Sequence, residues 1–249
     1  MKVARIGSLV LLTTIALAAC NDANGPSEEE DLALNEAVAE VAADAAIEDV
    51  KQMFVALGAE PALGASFDAA GPPRDFSRTV TFYDAAGAMM DGYDAGLTAS
   101  INIVVEASGT VEREGWTATV LRSRDLTVSG LAGAETSRRW DGTGLGTVTG
   151  SQHTDEHGDR SYDMASSVVI DAVVRDLPRE ENPWPASGTI TRTVSVTITT
   201  ADGVVTRERT AVLTFNGTQF AILMVSGEEY EVDLVAREGD RAHRRRNRA

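Results

Sequence analysis

Residues 188–200, Gly-Thr-Ile-Thr-Arg-Thr-Val-Ser-Val-Thr-Ile-Thr-Thr, alternate with a period of two. Ile190, Val194, Val196 and Ile198 fall on one side, and Thr189, Thr191, Thr193, Ser195, Thr197 and Thr199 on the other. Successive side chains of a strand face opposite ways, so an extended backbone here has one apolar and one hydroxyl face. Arg192 is the only intruder in the apolar series. Beyond Asp202-Gly203 the pattern repeats, with Ala211, Leu213 and Phe215 set against Thr210, Val212 and Thr214. Asn216-Gly217, a strong two-residue hairpin signal, leads into a third strand over 218–225. Three consecutive strands with short turns predict an antiparallel meander. Gly, Pro and Asp clusters bound further strands at 76–84, 97–106, 116–129, 144–151, 161–175 and 229–235.

Ahead of this region the period changes. Leu34, Val38, Val41, Ala45, Val50, Phe54 and Leu57 recur close to every 3.6 residues, and Gly58 with Pro61 supplies a stop. Ser27-Glu28-Glu29-Glu30 fits a capping box, so one amphipathic helix is expected over about 28–57, with a shallow, alanine-rich face. It packs on the body, or serves as a spacer or a lid. The stretch 60–74 is rich in Ala, Gly and Pro and reads as a linker. The expected fold is mainly β: an antiparallel up-and-down meander, as an open curved sheet or small barrel, with that one N-terminal helix. A Greek-key sandwich ranks second. An outer-membrane barrel ranks third, because such barrels carry aromatic girdles and this chain is 5% aromatic.

The first residues have a different logic. Lys2 and Arg5 precede twelve uncharged residues, 6–17, and then Ala18-Ala19-Cys20, which holds the chain's single cysteine. A positive region, an apolar run and small residues make a secretory signal peptide, and twelve residues are too few to span ~30 Å of hydrocarbon. Leu17-Ala18-Ala19-Cys20 resembles the lipobox of bacterial lipoproteins. The resemblance covers only the first 21 residues or so. It implies cleavage before Cys20, lipidation of that cysteine and anchorage to a membrane. Asn21 and Asp22 follow, which by the same resemblance is not the usual inner-membrane retention signal and favours the periplasmic face of the outer membrane.

The organisation is therefore a signal peptide over 1–19, an acidic tether over 20–75, a β domain over 76–238 and a basic, disordered tail over 239–249. Without Lys2 and Arg5 the chain carries 20 Lys plus Arg against 38 Asp plus Glu, a net of −18, which argues against broad nucleic-acid binding. The charge is uneven. Residues 21–50 contain ten acids and no base, whereas 241–249 contain Arg241, Arg244, Arg245, Arg246 and Arg248 and no acid. Those arginines are candidates for an anionic surface, against the alternative of a frayed solvated tail.

Candidate chemistry is sparse. His153, Asp155, His157 and Asp159 stand at i, i+2, i+4 and i+6, so one extended strand would present two imidazoles and two carboxylates on one side as a metal set. The same residues also read as a solvated turn. Asp91-Gly92-Tyr93-Asp94-Ala95-Gly96 lacks the ordered oxygen series of a calcium loop and reads as a loop. Trp116, Trp140 and Trp184 are widely spaced, and the last two are expected to plug corners, Trp140 beside an Asp-Gly turn. Neither a nucleophile elbow, a phosphate loop, a dinucleotide fingerprint nor a zinc-protease motif occurs in the sequence. The expectation is a non-enzymatic, lipid-anchored envelope protein without cofactor, binding or structural in role, whose partners are the membrane and another envelope protein. The alternative is a carrier of a lipid or other hydrophobic ligand in a curved sheet, similar in architecture to lipoprotein-sorting carriers.

Overall fold

The alternation read from the sequence builds one sheet. In the computed structural model the described residues are 35, 38, 39, 42, 43, 45–47, 49, 50, 53, 74–113, 116–154, 158–200, 203–236 and 242–244. The strands are β1 (Arg74–Asp84), β2 (Met89–Met90), β3 (Thr98–Arg113), β4 (Trp116–Ser129), β5 (Ser137–Thr154), β6 (Gly158–Asp176), β7 (Ser187–Thr200), β8 (Gly203–Thr214), β9 (Phe220–Val225), β10 (Glu228–Asp233) and β11 (Ala242–Arg244). They form one open antiparallel sheet in the order β11-β10-β9-β8-β7-β6-β5-β4-β3-β1-β2. Nearly every strand pairs with its neighbour in sequence. The local exception is β2, which turns back on β1 at Phe82 and Tyr83 and leaves β3 to pair with the other edge of β1.

Register places the apolar positions in rows that cross the sheet. One row runs Val80, Ile103, Leu126, Gly142, Ile170, Ile190, Leu213, Leu223 and Tyr230, from β1 to β10. A slip of one residue in any strand would turn its apolar set to the other face, so the row itself fixes the pairing. Its isoleucines, leucines and Tyr230 are buried, with Trp140, Val128 and Val173 in the same core. The opposite face carries the hydroxyls. Thr193 and Thr210 meet there at 3.2 Å, and Thr197 and Thr206 at 2.9 Å. The described residues between 35 and 53 have helical backbone, and Ala39, Ala42, Ala43, Ala46, Ile47, Val50 and Met53 join the core.

Three expectations change. Asp141-Gly142 is not a turn: β5 runs straight through it, with a register irregularity between Trp140 and Gly142, and Trp140 lies in the core instead of at a corner. The sequence pattern missed this because a bulge and a turn use the same Asp-Gly chemistry. Asp141 accepts from the N–H of Ala172 at 2.9 Å and from two nitrogens of Arg139 at 2.6 and 2.8 Å, which ties off the irregularity on both strands. In addition, β11 pairs with β10 inside the stretch read as a basic tail. Finally, β5 begins at Ser137, seven residues before the expected start.

The hydrogen bonds from Arg139, and then the Ala172 N–H, hold the Asp141 carboxyl below the usual aspartate value against the opposing effect of burial. The folded state thus favours the ionised form. The resulting stabilisation is present above the unfolded aspartate pKa, ~3.9, and fades as pH falls through the lower folded value. In a carboxyl-carbon NMR titration Asp141 is expected to have its midpoint below that of a free aspartate, and Arg139→Ala to move it upward. An unchanged midpoint in the variant would disprove the assignment of the shift to Arg139.

Candidate functional site

The most unusual chemistry of the molecule lies on the core face. All five arginines of β4, β7 and β8 (Arg122, Arg124, Arg192, Arg207 and Arg209) occupy core-face register positions, in line with Val105, Val168, Val194 or Val196. The acids of β3, β4 and β8, Glu106, Glu112, Asp125 and Glu208, take outer-face register positions. Across these strands the sheet separates charge over its own thickness.

Asp49, from the helical stretch, is inserted between two of these arginines. Arg124 Nε donates to Asp49 Oδ1 at 2.9 Å, and Arg192 Nη2 donates to Oδ2 at 2.6 Å. Asp49 is 3% exposed and Arg192 7%. Arg124 reaches this point by lying over β5: a β-carbon on Gly144 would sit 2.6 Å from both its Cδ and its Nη1. Its Nη1 donates to the Ser123 carbonyl at 2.8 Å, which pins the guanidinium. Gly144 is one of four glycines, with Gly142, Gly146 and Gly150, at alternate core-face positions of β5, Val148 being the only side chain among them. They form a trough along that strand. Further along, Arg209 Nε donates to Asn35 Oδ1 at 2.9 Å.

Burial drives the Arg192 pKa down, Asp49 pushes it back up, and the charges of Arg124 and Arg122 lower it further. A buried ion pair repays the removal of its charges from water only with good geometry. Asp49 meets that condition by using both oxygens. What the cluster can do chemically is hold: it fixes one carboxylate, and with it one helical segment, at one place on the sheet.

Asn35, Ala39, Ala42, Ala46, Asp49 and Met53 follow one another at intervals of four, three, four, three and four. This is the stripe that is buried, with Val38 and Ala45 only half-buried at its margin. The expected apolar stripe meets the buried one at Val50 but at Val38 and Ala45 lies about one residue away, because the polar Asn35 and Asp49 are on the buried side. The signal that could have corrected it is the arginine alternation in Arg122-Ser123-Arg124 and Arg207-Glu208-Arg209, which falls on the apolar register.

A second feature is an open groove of about 570 Å³, to which β1, β3, β4 and β5 each contribute three consecutive residues, including Phe76, Glu106, Leu121 and Leu145. Leu121 is 51% exposed and Leu145 63%.

The candidates named from sequence are scattered. His153 and Asp159 stand opposite each other in the register of the antiparallel β5 and β6, so these two do not share one extended strand. Asp155 and His157 lie outside the described residues, and among the described residues no three His, Cys, Asp or Glu side chains gather as a metal set. Arg244 pairs in register with Tyr230 through β11, whereas Cys20, Arg241, Arg245, Arg246 and Arg248 lie outside the described residues. Asp94 closes a loop, its Oδ1 accepting from the N–H groups of Gly96 and Leu97 at 2.8 and 3.1 Å. Among the described residues no helix is long and apolar enough to cross a membrane. No family model, curated protein or solved structure matches the chain.

Proposed function

We propose that this chain is a lipid-anchored, non-enzymatic protein of the bacterial cell envelope, a binding or structural module that works through its surface. The anchor is Cys20, held at the periplasmic face of the outer membrane, and residues 28–57 form one amphipathic helix that seats on the sheet and connects it to the anchor. The observation that carries this reading is the occupied core face. Trp140 and Tyr230 at 1% exposure, with Ala39 and Met53 at 0%, fill the side of the sheet where an enclosed ligand would have to sit. Contacts with a partner then fall to the hydroxyl-rich, acidic outer face and the groove beside it.

The groove supports a second reading. Leu121 and Leu145 could hold a hydrophobic ligand at the surface. The two readings differ in what co-purifies. Cys20→Ser is expected to move the protein from the membrane pellet to the soluble periplasmic fraction, and retention in the pellet would remove the anchor. Native mass spectrometry of the same variant is expected to return the bare protein mass, whereas a stoichiometric lipid adduct would favour the surface carrier.

A further inference from the structure

We infer that the arginine-bearing core face is a receptor for the acidic arm in trans as well as in cis, so that two copies exchange arms and each Asp49 seats between the other's Arg124 and Arg192. The inference rests on the seating of the arm proposed above and goes beyond it.

Three observations carry it. First, recognition is divided between two parts of the chain that are far apart in sequence. Asn35 and Asp49 lie fourteen residues apart on one helical stripe, a rise of ~21 Å, and each meets its own arginines, Arg209 for the one and Arg124 with Arg192 for the other. Any helix that presents this stripe satisfies the same three guanidinium groups, and a second copy presents it identically.

Second, the charges favour arm against face. Residues 21–50 carry ten acids and no base, while β4, β7 and β8 put five arginines on the receiving face. Arm repels arm, and face repels face. Arm against face is complementary, whichever chain supplies each.

Third, much of the seat is made of small side chains. Ala39, Ala42, Ala43 and Ala46 bury little surface each, so beside Ile47, Val50 and Met53 the polar contacts of Asn35 and Asp49 set where the arm lies. Exchange reproduces every contact and requires no new interface, which is why swapped elements form dimers at low cost. The twenty residues between Met53 and Arg74 reach up to ~70 Å when extended, and Ala, Gly and Pro dominate their second half.

The test uses two full-length chains, both with Cys20→Ser. One carries Asp49→Arg. The other carries Arg124→Asp and Arg192→Asp. Alone, each has a mismatched latch and is expected to melt early as a monomer. Mixed, each arm finds a matching face only in the other chain, so a one-to-one heterodimer and a higher melting temperature are expected; two separate monomer masses with unchanged melting would overturn the inference. Should the arginine variant fail to fold, nitrogen-15-labelled and unlabelled chains with Asp49, Arg124 and Arg192 intact are mixed over a concentration series and weighed by native mass spectrometry. Mixed-label dimers are expected at high concentration and absent from Asp49→Ala, and monomers alone at every concentration would overturn exchange. Unchanged melting of Asp49→Ala by itself would instead remove the seat, so the two failures are distinct.

Discussion

Replacing Asp49 by alanine is expected to lower the free energy of unfolding by about 3–5 kcal/mol, because it leaves the buried Arg192 and the partly buried Arg124 without their shared carboxylate. For a domain of this size each kcal/mol shifts the melting temperature by roughly 2–4 °C, so the loss is on the order of 10 °C. Calorimetry of the variant beside the parent measures it. The companion experiment removes all three charges together. Asp49→Leu with Arg124→Met and Arg192→Met keeps the volume and leaves no stranded charge, so it is expected to melt near the parent or above it. If the single variant melted within about 2 °C of the parent, the ion pairs would not be what seats the helical segment.

The second large effect is expected on β5. A β-carbon on Gly142 would lie 2.3 Å from the Asp125 carbonyl oxygen and 2.8 Å from Leu126 Cδ2, so the backbone of β4 would have to move. Gly142→Ala is therefore expected to cost about 3 kcal/mol, the upper end of the overpacking range. Gly146 provides the control on the same strand and face. There the nearest atom is Ser166 Oγ at 2.9 Å, the end of a side chain that can rotate, and the next is 3.7 Å away. Because glycine in a strand costs roughly 0.5–1 kcal/mol relative to alanine, Gly146→Ala is expected to be neutral or slightly stabilising. Urea unfolding of the pair decides: equal midpoints would mean that β4 yields easily and that the close approach is unimportant.

Much of the sheet was legible in the chain, and the parts that were not have physical causes. β7 and the second half of β8 could be read nearly to the residue because their threonines and aliphatic residues alternate, and β9 because an Asn-Gly signal precedes an unbroken apolar run. The start of β5 was lost because Arg138-Arg139-Trp140-Asp141-Gly142 has turn composition while the backbone stays extended, with Asp141 satisfying Ala172 across the irregularity. β2 and β11 are two and three residues long, too short for any period to show. The site was the least legible part. Arg192 stood out as an interruption, but its partner was one of ten acids in an arm, and periodicity alone does not mark one carboxylate among ten for burial.

The separation of Asp49 from its partners has a consequence for how the molecule comes together. Neighbouring strands close local hairpins, and contacts of short sequence separation form quickly. Each strand from β3 to β10 can add to the one before it as the chain is made. The Asp49 contacts span 75 residues to Arg124 and 143 to Arg192, so a segment synthesised before the sheet is the last to be secured. Until β7 exists, this arm has only half of its clasp, and completion of the clasp marks the arrival of a sheet wide enough to hold it.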